Sequence, residues 1–130
     1  VKAAGGRAVK LAVSGAFHTP YMADVKPVLH TFLDNTDLSA PEIPVYANRT
    51  AMPYPSDKAG IADCLSAQVC SPVRFSDTLL RMREGGIDTF IEVGAGATLT
   101  GFVKRTLPDA KFYTVNDMTA FTACLSEIGG

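Results

Sequence analysis

Val9, Leu11 and Val13 occupy alternate positions, the spacing of a strand with one face turned inward, and they predict a strand over Arg7–Val13 that Gly15 ends. Ahead of it, Val1–Gly6 reads as the tail of a helix stopped by the Gly5-Gly6 pair. Beyond Gly15 the apolar period lengthens to three and four residues. Thr19 suits a helix N-cap, and Pro20 suits the first helical position, where a missing N–H costs nothing. The helix that follows places Met22, Val25, Leu29 and Phe32 in one stripe, with Pro27 either kinking it or marking a shorter first segment. A short strand is predicted at Ile43–Ala47, pushed to a sheet edge or a strand start by Pro44. Arg49–Asp57, with Pro53, Pro55 and Ser56, reads as a loop. Two helices come next. One runs over Asp57–Val69, with Ile61, Leu65 and Gln68 or Val69 along one side, and is broken by Ser71-Pro72. The other covers Arg74–Glu84, with Phe75, Leu79 and Met82 inward, and ends at Gly85-Gly86.

The clearest pattern comes last. Ile87–Val93 is a strand, Gly94-Ala95-Gly96 a tight turn, and Thr98–Leu107 a helix carrying Leu99, Phe102 and Val103; Lys111–Val115 is a strand and Thr119–Ile128 a final helix. Strand, helix and strand within about thirty residues make a right-handed parallel unit, so the fold class is α/β.

Composition narrows the function. A chain of 130 residues, 47% of them apolar, suits one folded domain with a core. Twelve basic and thirteen acidic side chains leave a net charge of −1, so there is no electrostatic footprint for nucleic acid or an anionic membrane. No apolar run approaches the ~18 residues of a membrane span, and no secretion signal is visible. Cys64, Cys70 and Cys124 lack CxxC spacing. Cys64 and Cys124 fall on apolar helix faces and read as buried thiols, which suits a reducing, cytoplasmic setting.

Three chemical readings fail on the residues. Gly94-Ala95-Gly96 follows a strand and opens a helix, with Asp117 where a ribose-binding acid would stand. Leu99, however, occupies the place of the third glycine of a dinucleotide fingerprint, so a turn shaped by backbone geometry is the better reading. Ser14 lies four residues before His18, but no Gly-x-Ser-x-Gly elbow exists, and Ser14 is read as structural. Two distant histidines and scattered cysteines give no metal-ligand cluster, and His30 reads as a boundary residue without chemistry. His18 is left. A position just outside a helix N-terminus disfavours imidazolium, so the ring is expected to stay neutral and able to accept a proton as a general base. The nucleophile it would serve is not evident in the chain.

At this point the residues resemble a family. Val13-Ser14-Gly15-Ala16-Phe17-His18-Thr19-Pro20-Tyr21-Met22 resembles the histidine segment of malonyl-CoA:acyl carrier protein transacylases. Ile43–Asn48, Gln68-Val69-Cys70-Ser71-Pro72-Val73-Arg74-Phe75, and Ile91-Glu92-Val93-Gly94-Ala95-Gly96 with Leu99-Thr100-Gly101 are similar to three further motifs of that family in the same order. Ala95 departs from the family's usual proline. The resemblance implies a ping-pong transfer of malonyl from coenzyme A through a seryl ester to the phosphopantetheine thiol of acyl carrier protein, in fatty acid biosynthesis. His18 matches the catalytic base. Gln68 matches the residue whose main-chain carbonyl orients the ring, and Phe17 matches a substrate-selecting position that crowds a 2-methyl group.

The resemblance further implies the C-terminal part of an α/β-hydrolase-like core at 15–130, preceded at 1–14 by the end of a ferredoxin-like small subdomain. It implies no metal and no cofactor beyond malonyl-CoA as substrate. The partners it implies are acyl carrier protein and an N-terminal segment of the same enzyme carrying the serine, without which the chain is expected to be inactive and to expose apolar surface. Two other readings compete: a non-catalytic α/β binding module, and an acyltransferase segment of a polyketide synthase.

Overall fold

The computed structural model describes residues 1–9 and 13–129. Lys2–Ala4 form one 3-10 turn, and Pro20–Met22 form another. The regular elements are α1 (Val25–Asp34), β1 (Tyr46–Ala47), β2 (Met52–Pro53), α2 (Lys58–Gln68), α3 (Phe75–Glu84), β3 (Thr89–Val93), α4 (Thr98–Thr106), β4 (Lys111–Val115) and α5 (Met118–Ile128). β3 and β4 lie parallel in register, from Thr89 opposite Lys111 to Val93 opposite Val115, while β1 and β2 make a small antiparallel hairpin. The fold is α/β. Among the described residues no helix is long and apolar enough to cross a membrane.

Local chemistry fixes most boundaries. Asp57 caps α2 by accepting from the Gly60 N–H at 2.8 Å, and Asp117 caps α5 by accepting from Ala120 at the same distance. Asp117 is thus a helix cap. α3 closes at Gly85-Gly86, with the Ile87 N–H reaching back to the Met82 carbonyl at 3.0 Å. Leu79, Val103, Leu107 and Ala110 form the buried cluster between α3, α4 and the parallel strands, with Phe75, Phe90 and Phe112 packed against it. Burying each leucine there contributes roughly 1.5–3 kcal/mol. α1 packs on α2, and Lys26 crosses to Asp63 at 2.8 Å. That hydrogen bond, and then the charges of Lys26 and Arg49, hold the Asp63 carboxyl below its ordinary value. Cys64 and Cys124 are buried, and burial pushes the Cys64 thiol up.

Several expectations from the pattern need correction. Arg7–Val9 and Val13 carry no strand, and Val9 and Val13 are exposed; Lys10, Leu11 and Ala12 of that predicted strand lie outside the described residues. A strand needs a neighbour for its ladder, and none of the described strands pairs with this segment. The predicted strand at Ile43–Ala47 shrinks to Tyr46–Ala47, because Pro44 cannot donate and Ile43 faces solvent. The predicted loop after it holds the returning strand β2. Of the two readings of Pro27 the kink fails and the shorter first segment holds. Pro20–Met22 form a short turn, and α1 starts at Val25 with the proline in its first turn, where its missing N–H is harmless. The later start moves the inward stripe, so Leu33 is buried while Val25 and Phe32 are exposed.

Candidate active site

His18 stands in a turn with φ of 63°, a left-handed backbone rare for a side-chain-bearing residue. Three hydrogen bonds hold that shape. The Thr19 hydroxyl donates back to the Ala16 carbonyl at 2.7 Å, so it closes the turn and does not cap a helix. The His18 N–H donates to the Val69 carbonyl at 3.0 Å. The ring's Nδ1 lies 3.0 Å from the Gln68 carbonyl. A carbonyl can only accept, so Nδ1 carries the proton and donates it. The Gln68 side-chain Nε2 also approaches Nδ1, but at 3.4 Å, and the shorter contact decides the tautomer. Nε2 of the ring is then the atom with the free lone pair, on a residue that is itself exposed. A ring of that form can take a proton from a hydroxyl or thiol brought against it.

The electrostatic setting differs from the one expected of a helix N-terminus. Pro20–Met22 is a three-residue turn with no macrodipole of consequence, and α1 starts further on. His18 instead sits on the C-terminal end of the eleven-residue α2, and it satisfies two of the carbonyls there that lack helical partners. The ring therefore faces the C-terminal end of a helix and not an N-terminus.

Phe17 is half exposed, and its ring lies over Gly15, where an added Cβ would meet it at 3.4 Å. The structure thus brings His18 and Gln68 together, while Phe17 adjoins His18 in the chain with its ring toward Gly15. His30 is elsewhere, with Nδ1 3.1 Å from Asp34 within α1. An apolar hollow lined by Phe75, Leu79, Phe90, Leu99 and Phe112 lies between α3, α4 and β3, and includes none of the histidine turn. Sequence reasoning missed Val69, whose role runs through its carbonyl and leaves no side-chain signal. It also missed Glu92. The Glu92 carboxylate accepts from the Leu99 N–H at 3.1 Å and the Thr100 N–H at 2.7 Å, so the start of α4 is already occupied by an anion from β3. Hydrogen bonding from Thr100 holds that carboxyl below its ordinary value. The Leu99 and Thr100 N–H groups are thereby taken, and the Glu92 carboxylate would repel a pyrophosphate placed there, a second ground against the dinucleotide reading.

Residues 1–122 match the family described as the acyl transferase domain, and the chain belongs to that family. Its relatives include transacylases. The malonyl CoA-acyl carrier protein transacylase of Bacillus subtilis is 37% identical over 111 residues, which cover 85% of this chain and 35% of that protein. The polyketide biosynthesis protein ThaF of Burkholderia thailandensis is 41% identical over 100 residues, 77% of this chain and 8% of that protein. A malonyl-transacylase solved in complex with its type II PKS acyl-carrier protein superposes with a TM-score of 0.91 at 31% identity, over 97% of this chain and 41% of that one. The chain therefore spans well under half the length of each of these relatives.

Proposed function

We propose that the chain supplies the base half of a malonyl transferase active site. The observation that carries this reading is the His18 ring on the Gln68 carbonyl, with the tautomer set and Nε2 left free. In the proposed cycle a serine from a complementary segment gives its proton to Nε2 and attacks the thioester carbonyl of malonyl-CoA. The imidazolium then protonates the departing coenzyme A thiolate, leaving a malonyl-seryl ester. In the second half the phosphopantetheine thiol of acyl carrier protein gives its proton to His18 and attacks the ester, and the serine recovers the proton. No metal or cofactor takes part, and malonyl-CoA is a substrate. Phe17 lies beside the base, where a bulky ring would crowd a branched acyl group by the ~1–3 kcal/mol that one methyl-scale contact provides.

On the same reading, 15–130 belong to the C-terminal part of a hydrolase-like core, and 1–14 to the end of a ferredoxin-like subdomain. Exposed apolar side chains, among them Tyr21, Val28 and Val93, are consistent with a further segment packing here. The setting proposed is fatty acid biosynthesis in the cytoplasm. The 41% identity to ThaF supports a second reading, in which the same chemistry serves a polyketide synthase.

Fusing the chain behind the part of the Bacillus subtilis transacylase that precedes the matched residues tests the proposal. The hybrid should transfer malonyl from coenzyme A to acyl carrier protein, and its His18→Ala form should not. An inactive but folded hybrid, together with upstream codons that encode no Gly-His-Ser-x-Gly, would sink it. A chain that acts as a binding module alone would instead dock acyl carrier protein equally well with and without His18.

A further inference from the structure

We infer that the side-chain amide of Gln68 is a positioning group for His18, fixing the turn after α2 so that two main-chain carbonyls meet the histidine. The inference rests on the reading of His18 as the base. Gln68 Nε2 donates to the Ser71 carbonyl at 3.1 Å and reaches the Pro72 carbonyl at 3.5 Å. It also lies 3.4 Å from His18 Nδ1, which, carrying a proton, offers it no acceptor. That turn is closed on itself as well. The Ser71 N–H donates to the Gln68 carbonyl at 3.2 Å, and the Ser71 hydroxyl donates to the Ala67 carbonyl at 2.7 Å. The carbonyls of Gln68 and Val69, set by this turn, are the two that His18 engages.

The amide cannot be reversed without setting its oxygen against the Ser71 carbonyl, two acceptors facing each other. In the orientation this imposes, Gln68 Oε1 is buried and has no hydrogen-bond partner among the described residues. A buried orphan acceptor lowers stability. Methionine would fill similar space without it, so what glutamine adds over methionine is the pair of donors. A local cost to stability in return for geometry is the signature of a functional position.

Long-range ¹H–¹⁵N spectra of the histidine rings in the full chain, with Gln68→Met beside the parent, test this directly. The parent should show His18 as a single Nδ1–H tautomer. Q68M should show both tautomers, with its thermal midpoint unchanged or raised. In the active hybrid, kcat should fall about ten- to a hundredfold with KM for malonyl-CoA unchanged, the scale of a ~1 Å misplacement. Gln68→Asn, whose amide stops short of Ser71, serves if Q68M does not fold, and the same tautomer mixing is expected. A variant that keeps one tautomer and full kcat, or that loses only thermal stability, overturns the inference. The spectra decide it even if the hybrid proves inactive, in which case the base reading fails separately.

Discussion

Two of the turns that enter left-handed backbone do so by opposite means. At the end of β3, Gly94 and Gly96 take φ of 132° and 93°, where a residue without Cβ meets no steric penalty. In the earlier turn the residue with φ of 63° is His18 itself, at a cost of roughly 1–2 kcal/mol. The glycine turn is held from within its own βαβ unit, by Gly94 N–H on the Val115 carbonyl at 3.0 Å and by Glu92 on the start of α4. The histidine turn is held from outside, by the end of α2 fifty residues away. The first turn is tied into its own unit through Gly94. The second is strained, and among the described residues its ring Nε2 has no hydrogen-bond partner. Of these two turns only the second places a side-chain-bearing residue in that region, which Ala51, at φ of 57° beside the β1–β2 hairpin, also enters.

The contrast can be broken at several points. The largest effect is expected from His18→Ala in the hybrid enzyme, where loss of a general base should lower malonyl transfer by about 10²–10⁴-fold in a steady-state assay. Next is Gly94→Ala, which should cost about 2 kcal/mol in denaturant unfolding, because a Cβ is strained at that φ whatever space surrounds it. At His18 the same preference for glycine over alanine applies. His18→Gly should be more stable than His18→Ala by about 1 kcal/mol, since glycine relaxes the backbone while both lose the ring contact. The smallest effect is a pH dependence through Glu92. Its carboxyl titrates lower in the folded chain than in the unfolded one. Its contribution to stability is therefore complete above about pH 4.3, the ordinary glutamate value, and is lost as pH falls through the lowered folded value. Unfolding midpoints measured from pH 6 down to pH 3 should show this, with a flatter curve for Glu92→Gln.

The part of the fold written in local chemistry was legible. From Asp57 onward, paired glycines, the Ser71-Pro72 break and helical spacing put each helix within about two residues of where it lies, in keeping with the usual uncertainty of helix ends. The parallel pair at β3 and β4 was legible for the same reason. What depends on distant partners was not. The register of α1 against α2, the β1–β2 hairpin and the isolation of Arg7–Val9 are settled by neighbours that no window of sequence contains. The site divides along the same line. His18 drew attention because a histidine beside a helix start is chemically suggestive, yet the helix it contacts is α2, at its C-terminal end. The meeting of His18 with residue 68 came from family resemblance. Spacing could not have given it, because the accepting atom is a main-chain oxygen that any residue possesses.

The reach of the His18 contact has a kinetic side. The β3–α4–β4 unit and the α2 and α3 helices can form from near neighbours, whereas seating the ring closes a loop of fifty residues. The logarithmic loop law puts that closure at about 3.5 kcal/mol of chain entropy before any contact offsets it. Contacts of such separation slow two-state folding. Refolding should therefore be slower than for a chain of local contacts alone, with the histidine's single tautomer recovering in the same transition as the backbone.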